Sequence, residues 1–171
     1  MRSRSTAVLS IVAASGLLLA GCASSASTDP GSTPSATAPA VTFVESSLTE
    51  PAAVGERVGA DGNMLEVWSG IVPDDTMGPA SEGMLWVTTN VAQWVTEEGL
   101  TGADVAPVLR SKTDASFAGT AVAQQNVDVE MKPGKSYSYV WSFEVPEALV
   151  SAENLVLCVG EGDEGCSSLS K

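Results

Sequence analysis

Histidine is absent from the 171 residues, and basic residues are scarce: eight lysines and arginines stand against 21 aspartates and glutamates. Without histidine the chain lacks the commonest general base at neutral pH, which excludes Ser-His-Asp and Cys-His catalysis as usually built. A zinc or copper site would have to use carboxylate, methionine and cysteine ligands alone, which argues against one. The excess of acid disfavours nucleic acid and anionic lipid headgroups as partners.

Cysteine is also rare, and the first of the three cysteines, Cys22, follows an apolar run over residues 7–20. That run is too short to span a bilayer and is preceded by arginines, as in a secretory signal. Leu19-Ala20-Gly21-Cys22 resembles the lipobox of bacterial lipoproteins, which implies a diacylglyceryl group on the Cys22 thiol and cleavage before it. We expect residues 1–21 to be a lipoprotein signal peptide, and the lipid on Cys22 to hold the protein at the extracellular face of the cell membrane. The alternative is an ordinary signal peptide with an incidental cysteine.

The two remaining cysteines, Cys158 and Cys166, are predicted to form a disulfide, because an exported protein meets oxidising conditions. The bridge would close a short loop rich in glycine and acid and would contribute roughly 2–3 kcal/mol on the chain-entropy model. The alternative is a redox-active pair. It is disfavoured because the spacing is not C-x-x-C and no neighbouring cation would lower a thiol pKa.

Residues 23–40 contain only Ala, Ser, Thr, Pro, Gly and one Asp. Because nothing in this stretch could be buried in a core, residues 22–40 are predicted to be a lipidated cysteine and a disordered linker. Cleavage before Cys22 removes two arginines and no acid, so the mature chain carries 8 − 2 = 6 basic and 21 acidic residues, a net charge of −15. Residues 41–171 are long enough for one domain with its own core.

The clearest element of this domain is a strand over residues 137–145, where large apolar side chains alternate with mostly small or polar ones up to Pro146. Lys132-Pro133-Gly134-Lys135 before it is a turn signal, and residues 126–131 alternate as a strand that feeds this turn.

Five further strands are predicted with less regular patterns: residues 41–48, 64–72, 85–95, 104–109 and 154–159. Asp61-Gly62-Asn63 is a turn signal, Pro107 interrupts the fourth of these strands, and helical periodicity is confined to one turn near residues 146–151. Short strands separated by turns predict an all-β fold, an antiparallel β-sandwich of about seven strands.

Two motifs carry a resemblance to a known family. Met64-Leu65-Glu66-Val67, after Val54-Gly55-Glu56-Arg57-Val58, and the Pro-Gly turn followed by Tyr139 to Pro146 are similar to segments of immunoglobulin-like domains of unknown function. Such domains occur in lipoproteins of Gram-positive, especially actinobacterial, bacteria, and small secreted mycobacterial antigens have a similar sandwich. The resemblance implies an immunoglobulin-like fold and an envelope location, and it transfers no catalytic residue.

Candidate sites outside the lipobox are few. Asp74-Asp75 and Glu161-Gly162-Asp163-Glu164 are acidic loops that could hold Ca²⁺, although neither has EF-hand spacing and solvated loops are the simpler interpretation. Glu97-Glu98 is interpreted in the same way. Among the four tryptophans, Trp141 is predicted to be core. Trp86 and Trp94 share strand parity, so one of them could be an exposed platform for carbohydrate or protein.

These features favour a non-enzymatic, lipid-anchored extracellular module that binds an envelope protein or wall component, with no cofactor, metal or catalytic residue assigned. A carboxylate-based hydrolase of wall glycan is an alternative and would need a carboxyl pair in a cleft. A calcium-dependent binding module is a third hypothesis.

Overall fold

Two long antiparallel strands, β4 (Met84–Val95) and β8 (Tyr137–Pro146), form the centre of the fold. The computed structural model describes residues 41–170, so the predicted signal peptide, Cys22 and linker lie outside the described residues. The predictions of strands over residues 85–95 and 137–145 are confirmed. The large apolar side chains of β8, from Tyr139 to Val145 in alternation, are buried on one face.

Four shorter strands complete a six-stranded sheet around β4 and β8. The order is β1-β2-β4-β8-β7, and β3 lies beside the first half of β4. These strands are β1 (Arg57–Ala60), β2 (Asn63–Val67), β3 (Val72–Pro73) and β7 (Val122–Ala123). The predicted turn between β1 and β2 is present. Asp61 and Gly62 both have positive φ, 50° and 79°, as a two-residue type I′ hairpin requires.

A second sheet of four strands has the order β10-β9-β5-β6. Its strands are β5 (Val108–Ser111), β6 (Ala118–Thr120), β9 (Leu155–Cys158) and β10 (Cys166–Ser168). A single 3-10 turn, Glu147–Leu149, lies where one helical turn was predicted. Across residues 41–170, no helix has the length and apolar character needed to cross a membrane.

The order of these strands is that of an immunoglobulin-like sandwich. In such a fold strands A, B, E and D form one sheet and G, F and C the other. Here β2, β4, β8 and β7 occupy the first set of positions, and β10, β9 and β5 occupy the second. The structure therefore confirms the all-β, antiparallel, immunoglobulin-like prediction. Seven of the ten described strands fill these immunoglobulin positions, and β1, β3 and β6 are additional to them.

The main core lies between the two sheets and is built from β-branched, leucine and aromatic side chains. Its largest fully buried strand residues come from β8, β2, β5 and β9: Trp141, Phe143, Leu65, Leu109, Leu155 and Leu157. Every residue of β9 is buried, because the outer side of this strand is also covered by a small cluster that includes Leu48 and the two cysteines. The apolar pattern predicted for residues 154–159 follows from this two-sided burial.

The prediction of a first strand over residues 41–48 is wrong. This segment makes only single bridges, from Val44 to Val58 in β1 and from Ser47 to Glu164 in the disulfide loop. It crosses from the outer side of one sheet to the outer side of the other and passes the edges of both. The apolar residues of this segment pack on different surfaces: Val41 packs on the six-stranded sheet and Leu48 on the four-stranded one.

The predicted strand over residues 126–131 is also absent. The Asn126 side chain accepts the Asp128 backbone N–H at 3.0 Å, a local turn that competes with a strand ladder. The alternating apolar residues are buried only in part: Met131 is fully buried, whereas Val129 is 53% exposed. The turn over residues 132–135 is present, with the Lys135 N–H donating to the Lys132 carbonyl at 3.1 Å.

Two other predicted strands have different bounds. Residues 64–72 are divided into β2 and β3, because the chain bends at Ser69. The next residue, Gly70, lies so close to the Leu169 carbonyl oxygen that an added Cβ would be 2.5 Å from it. Residues 104–107 form a turn and an irregular stretch, and β5 begins only after Pro107, which has no N–H to donate.

Candidate functional site

The outer face of the six-stranded sheet is defined by the alternation of β4. Val87, Val91 and Val95 point into the core, whereas Trp86 and Trp94 point away from it. The pairing with β8 is continuous from Met84 to Gln93, so no bulge disturbs this alternation. The expectation that the two tryptophans share a face therefore holds.

Trp94 is nevertheless covered. It is only 8% exposed and forms a small cluster with Met64 and Ala92, on which Val41 packs. The Arg57 guanidinium lies 4.0 Å above the ring centroid, a cation–π contact. Trp94 cannot serve as the exposed platform that the sequence suggested, because other parts of the chain occupy its ring.

Trp68 is the exposed tryptophan of this face, with 50% of its surface accessible. It follows β2 and its backbone N–H donates to the Asn90 carbonyl at 2.9 Å, which extends the pairing with β4. Its indole Nε1–H donates to Glu66 Oε1 at 3.1 Å, and Glu66 Oε2 lies 3.6 Å from the Arg57 guanidinium. The ring is thus hydrogen-bonded at its edge while half of the residue's surface is accessible to solvent.

Apolar side chains flank the polar centre of the same face. The register places Val72, Thr88, Ser142 and Val122 in one row across β3, β4, β8 and β7. Val72 is 51% exposed and Val122 is 38% exposed. With neighbouring strands about 4.8 Å apart, the row spans about 14 Å, which is wide enough for an extended peptide or a loop.

Asp74 lies at the centre of this face and is only 7% exposed. Its Oδ1 accepts the Thr76 hydroxyl at 2.6 Å and the Thr76 N–H at 2.9 Å, and its Oδ2 accepts the Ser142 hydroxyl at 2.8 Å and the Gln124 amide. The hydrogen bond from the Thr76 hydroxyl is the main cause that lowers the pKa of Asp74, against the opposing effect of burial. Asp74 is therefore an ionised group that fastens its loop to the sheet.

The outer face carries more acid than base. Glu66, Asp74 and Glu144 all project from it, and Arg57 is the one cation that the described strands place there. The Ser81 backbone N–H donates to Glu144 and holds the pKa of this carboxyl below its ordinary value. Hydrogen bonds favour the charged forms of Asp74 and Glu144, so the face attracts cations.

A separate acidic groove of about 760 Å³ lies at one end of the domain. It is enclosed by the segment before β1, the β1–β2 turn and the disulfide loop, and its lining includes Phe43, Glu45, Glu50, Asp61 and Glu164. Phe43 is 50% exposed, the same fraction as Trp68.

The two loops considered for calcium have other contacts. Asp74 is engaged as described, and Asp163 lies 3.3 Å from the Arg110 guanidinium, which also donates to the Glu161 carbonyl at 2.7 Å. In the part of the chain that the structure describes, no group of three or more Cys, Asp or Glu side chains is arranged to hold a metal ion. Glu97 and Glu98 are exposed, in agreement with a solvated turn.

Cys158 and Cys166 face one another in the β9–β10 ladder, and their sulfur atoms are bonded at 2.07 Å. Both residues are fully buried, with Leu48 and Val156 beside them. The disulfide therefore joins the two strands at a covered position, a structural arrangement that offers no access to a thiol partner.

Comparison with known proteins adds little. No family model matches the chain, and no curated protein matches it. An uncharacterized β-sandwich protein from Clostridium difficile 630 is similar in structure, with 12% identity and a TM-score of 0.42. The match covers 71% of this chain and 96% of that one.

Proposed function

We propose that this protein is a non-catalytic binding module of the bacterial cell envelope, held at the extracellular face of the membrane by diacylglyceryl on Cys22. The observation that supports binding is Trp68: an aromatic residue half exposed on the outer sheet face, with its indole hydrogen-bonded to Glu66. Tryptophan is prominent among residues that dominate binding energy, and a ring that is already ordered loses little entropy on contact. The proposed partner is an envelope protein or a wall component.

The anchor supports the same function. The lipobox-like motif Leu19-Ala20-Gly21-Cys22 and the following Ala-, Ser-, Thr- and Pro-rich residues would display the domain at a distance from the membrane. Two acyl chains give stable attachment where one gives only marginal binding. A domain displayed in this way is positioned to meet partners in the cell wall layer.

Labelling with a fatty acid tests the anchor. We expect the label on the wild-type protein and none on Cys22→Ala, with the variant released from the membrane fraction. Equal labelling of both proteins would contradict lipid anchoring at Cys22.

Turnover assays test the non-catalytic part of the proposal. The soluble form that begins at residue 23 is expected to release no product from peptidoglycan or a generic ester. Turnover that one Asp or Glu substitution abolishes, with an unchanged circular dichroism spectrum, would establish a carboxylate-based hydrolase instead.

A further inference from the structure

The outer face of the six-stranded sheet presents exposed apolar groups within a negative field. Trp68, Val72 and Val122 are accessible there, and carboxylates outnumber the single guanidinium that the described strands contribute. The Arg57 guanidinium already has two partners, because it stacks on Trp94 and pairs with Glu66. Among the cation–π contacts of the described residues, none involves the Trp68 ring.

The geometry around Trp68 suits a cation from outside the chain. The negative π-face of an indole attracts ammonium and guanidinium groups, and the Glu66 carboxylate lies at the edge of the same ring, 3.1 Å from Nε1. A cation on the ring would also lie in the field of Glu66. The mature chain reinforces this preference, since its net charge is 6 − 21 = −15.

We propose that this face docks a basic polypeptide segment, with a lysine or arginine side chain seated on the Trp68 ring and apolar neighbours against Val72 and Val122. This inference rests on the proposed binding function and names the chemistry of its partner. A neutral glycan would gain the aromatic contact but nothing from the carboxylates. A single metal ion would find no chelating group of three Cys, Asp or Glu side chains on the described surface.

The test uses the soluble form that begins at residue 23 and a fluorescent oligolysine peptide, with oligoglutamate and a neutral N-acetylglucosamine oligomer as comparison probes. We expect the wild type to bind oligolysine best, with an affinity that falls as salt rises. Trp68→Ala should weaken this binding about tenfold, and Trp68→Phe should retain part of it because the smaller ring keeps a π-face.

Phe43→Ala is the matched control, since Phe43 has the same exposed fraction as Trp68 and lines the acidic groove at one end of the domain. Neither alanine variant changes the charge of the protein, so a loss of affinity cannot be an effect of the general field. Binding should survive in Phe43→Ala, and circular dichroism should show that both variants are folded.

Four results would overturn the inference. Equal oligolysine affinity in Trp68→Ala and wild type would exclude the Trp68 face as the binding site. A loss of affinity confined to Phe43→Ala would show that the peptide binds in the acidic groove instead. Preference for the glycan or for oligoglutamate would overturn the basic partner while leaving a binding module intact. Binding of none of the probes would also overturn the inference, whereas the proposed function is judged separately by fatty-acid labelling and turnover.

Discussion

Gln93 is a buried polar residue whose removal should have a large and calculable effect. It is 2% exposed and projects into the core, where its Oε1 accepts the Trp141 indole N–H at 2.8 Å and its Nε2 donates to the Val105 carbonyl at 2.8 Å. Gln93→Leu would leave both partners buried without a hydrogen bond. Each orphaned group costs about 1–3 kcal/mol, or about 2–6 kcal/mol for the two, and burial of the apolar leucine side chain offsets about 1 kcal/mol. We therefore expect a loss of about 1–5 kcal/mol of unfolding free energy.

Urea denaturation of the soluble form that begins at residue 23 measures this loss. Gln125→Leu is the matched control, because Gln125 is exposed and water replaces its one bond to the Val140 N–H, so the change should stay below about 1 kcal/mol. Combining Gln93→Leu with Trp141→Phe should cost less than the sum of the single changes by about 1–2 kcal/mol, since the lost bond is then counted once. An unchanged unfolding free energy in Gln93→Leu, or strictly additive effects in the double variant, would contradict this prediction.

Three further predictions concern the disulfide, a glycine and a carboxylate. Reduction should raise the intact mass by about two hydrogens, as loss of the one bridge between Cys158 and Cys166 requires, and two freely alkylated thiols in the untreated protein would contradict it. Gly70→Ala should lower the free energy of unfolding by about 1–3 kcal/mol, because its Cβ would meet the Leu169 carbonyl oxygen, and an unchanged urea midpoint would refute this. Because hydrogen bonds lower the pKa of Asp74, its stabilising contribution is present above pH 3.8, the ordinary pKa, and is lost as pH falls through the lower folded value. Asp74→Asn should therefore reduce the dependence of the urea midpoint on acid pH, and an unaltered dependence would contradict it.

Strands that are buried on one or both sides along their whole length were predictable from sequence. The alternation in residues 137–145 and the continuous apolar run in residues 154–159 follow directly from how β8 and β9 contact the core. Residues 126–131 show the same alternation without a ladder, because the Asn126 side chain makes a local turn. An alternating sequence therefore does not establish that every apolar side chain faces the core, since Val129 is 53% exposed, nor that the backbone has a partner strand.

The exposed site was harder to predict, because exposure depends on what covers the sheet. Strand parity places both Trp94 and Trp68 on the outer face, yet Val41 and Arg57 cover only the first. Those contacts join residues far apart in sequence, so parity alone could not distinguish the two rings. The alternation of Met64, Glu66 and Trp68 was the available signal, and it shows that Trp68 is directed outward beside a carboxylate.

We infer that the protein acts by binding through the outer face of its six-stranded sheet. Site-specific photo-crosslinking in the cells that make the protein tests this most directly, with a photoreactive residue in place of Val72, which leaves Trp68 intact, or, as a control, in place of the similarly exposed Val129 on a separate loop. We predict a discrete crosslinked partner from position 72, attached through a peptide rich in lysine and arginine, and none from position 129. The same adducts from both positions, or none from position 72, would contradict binding through this face.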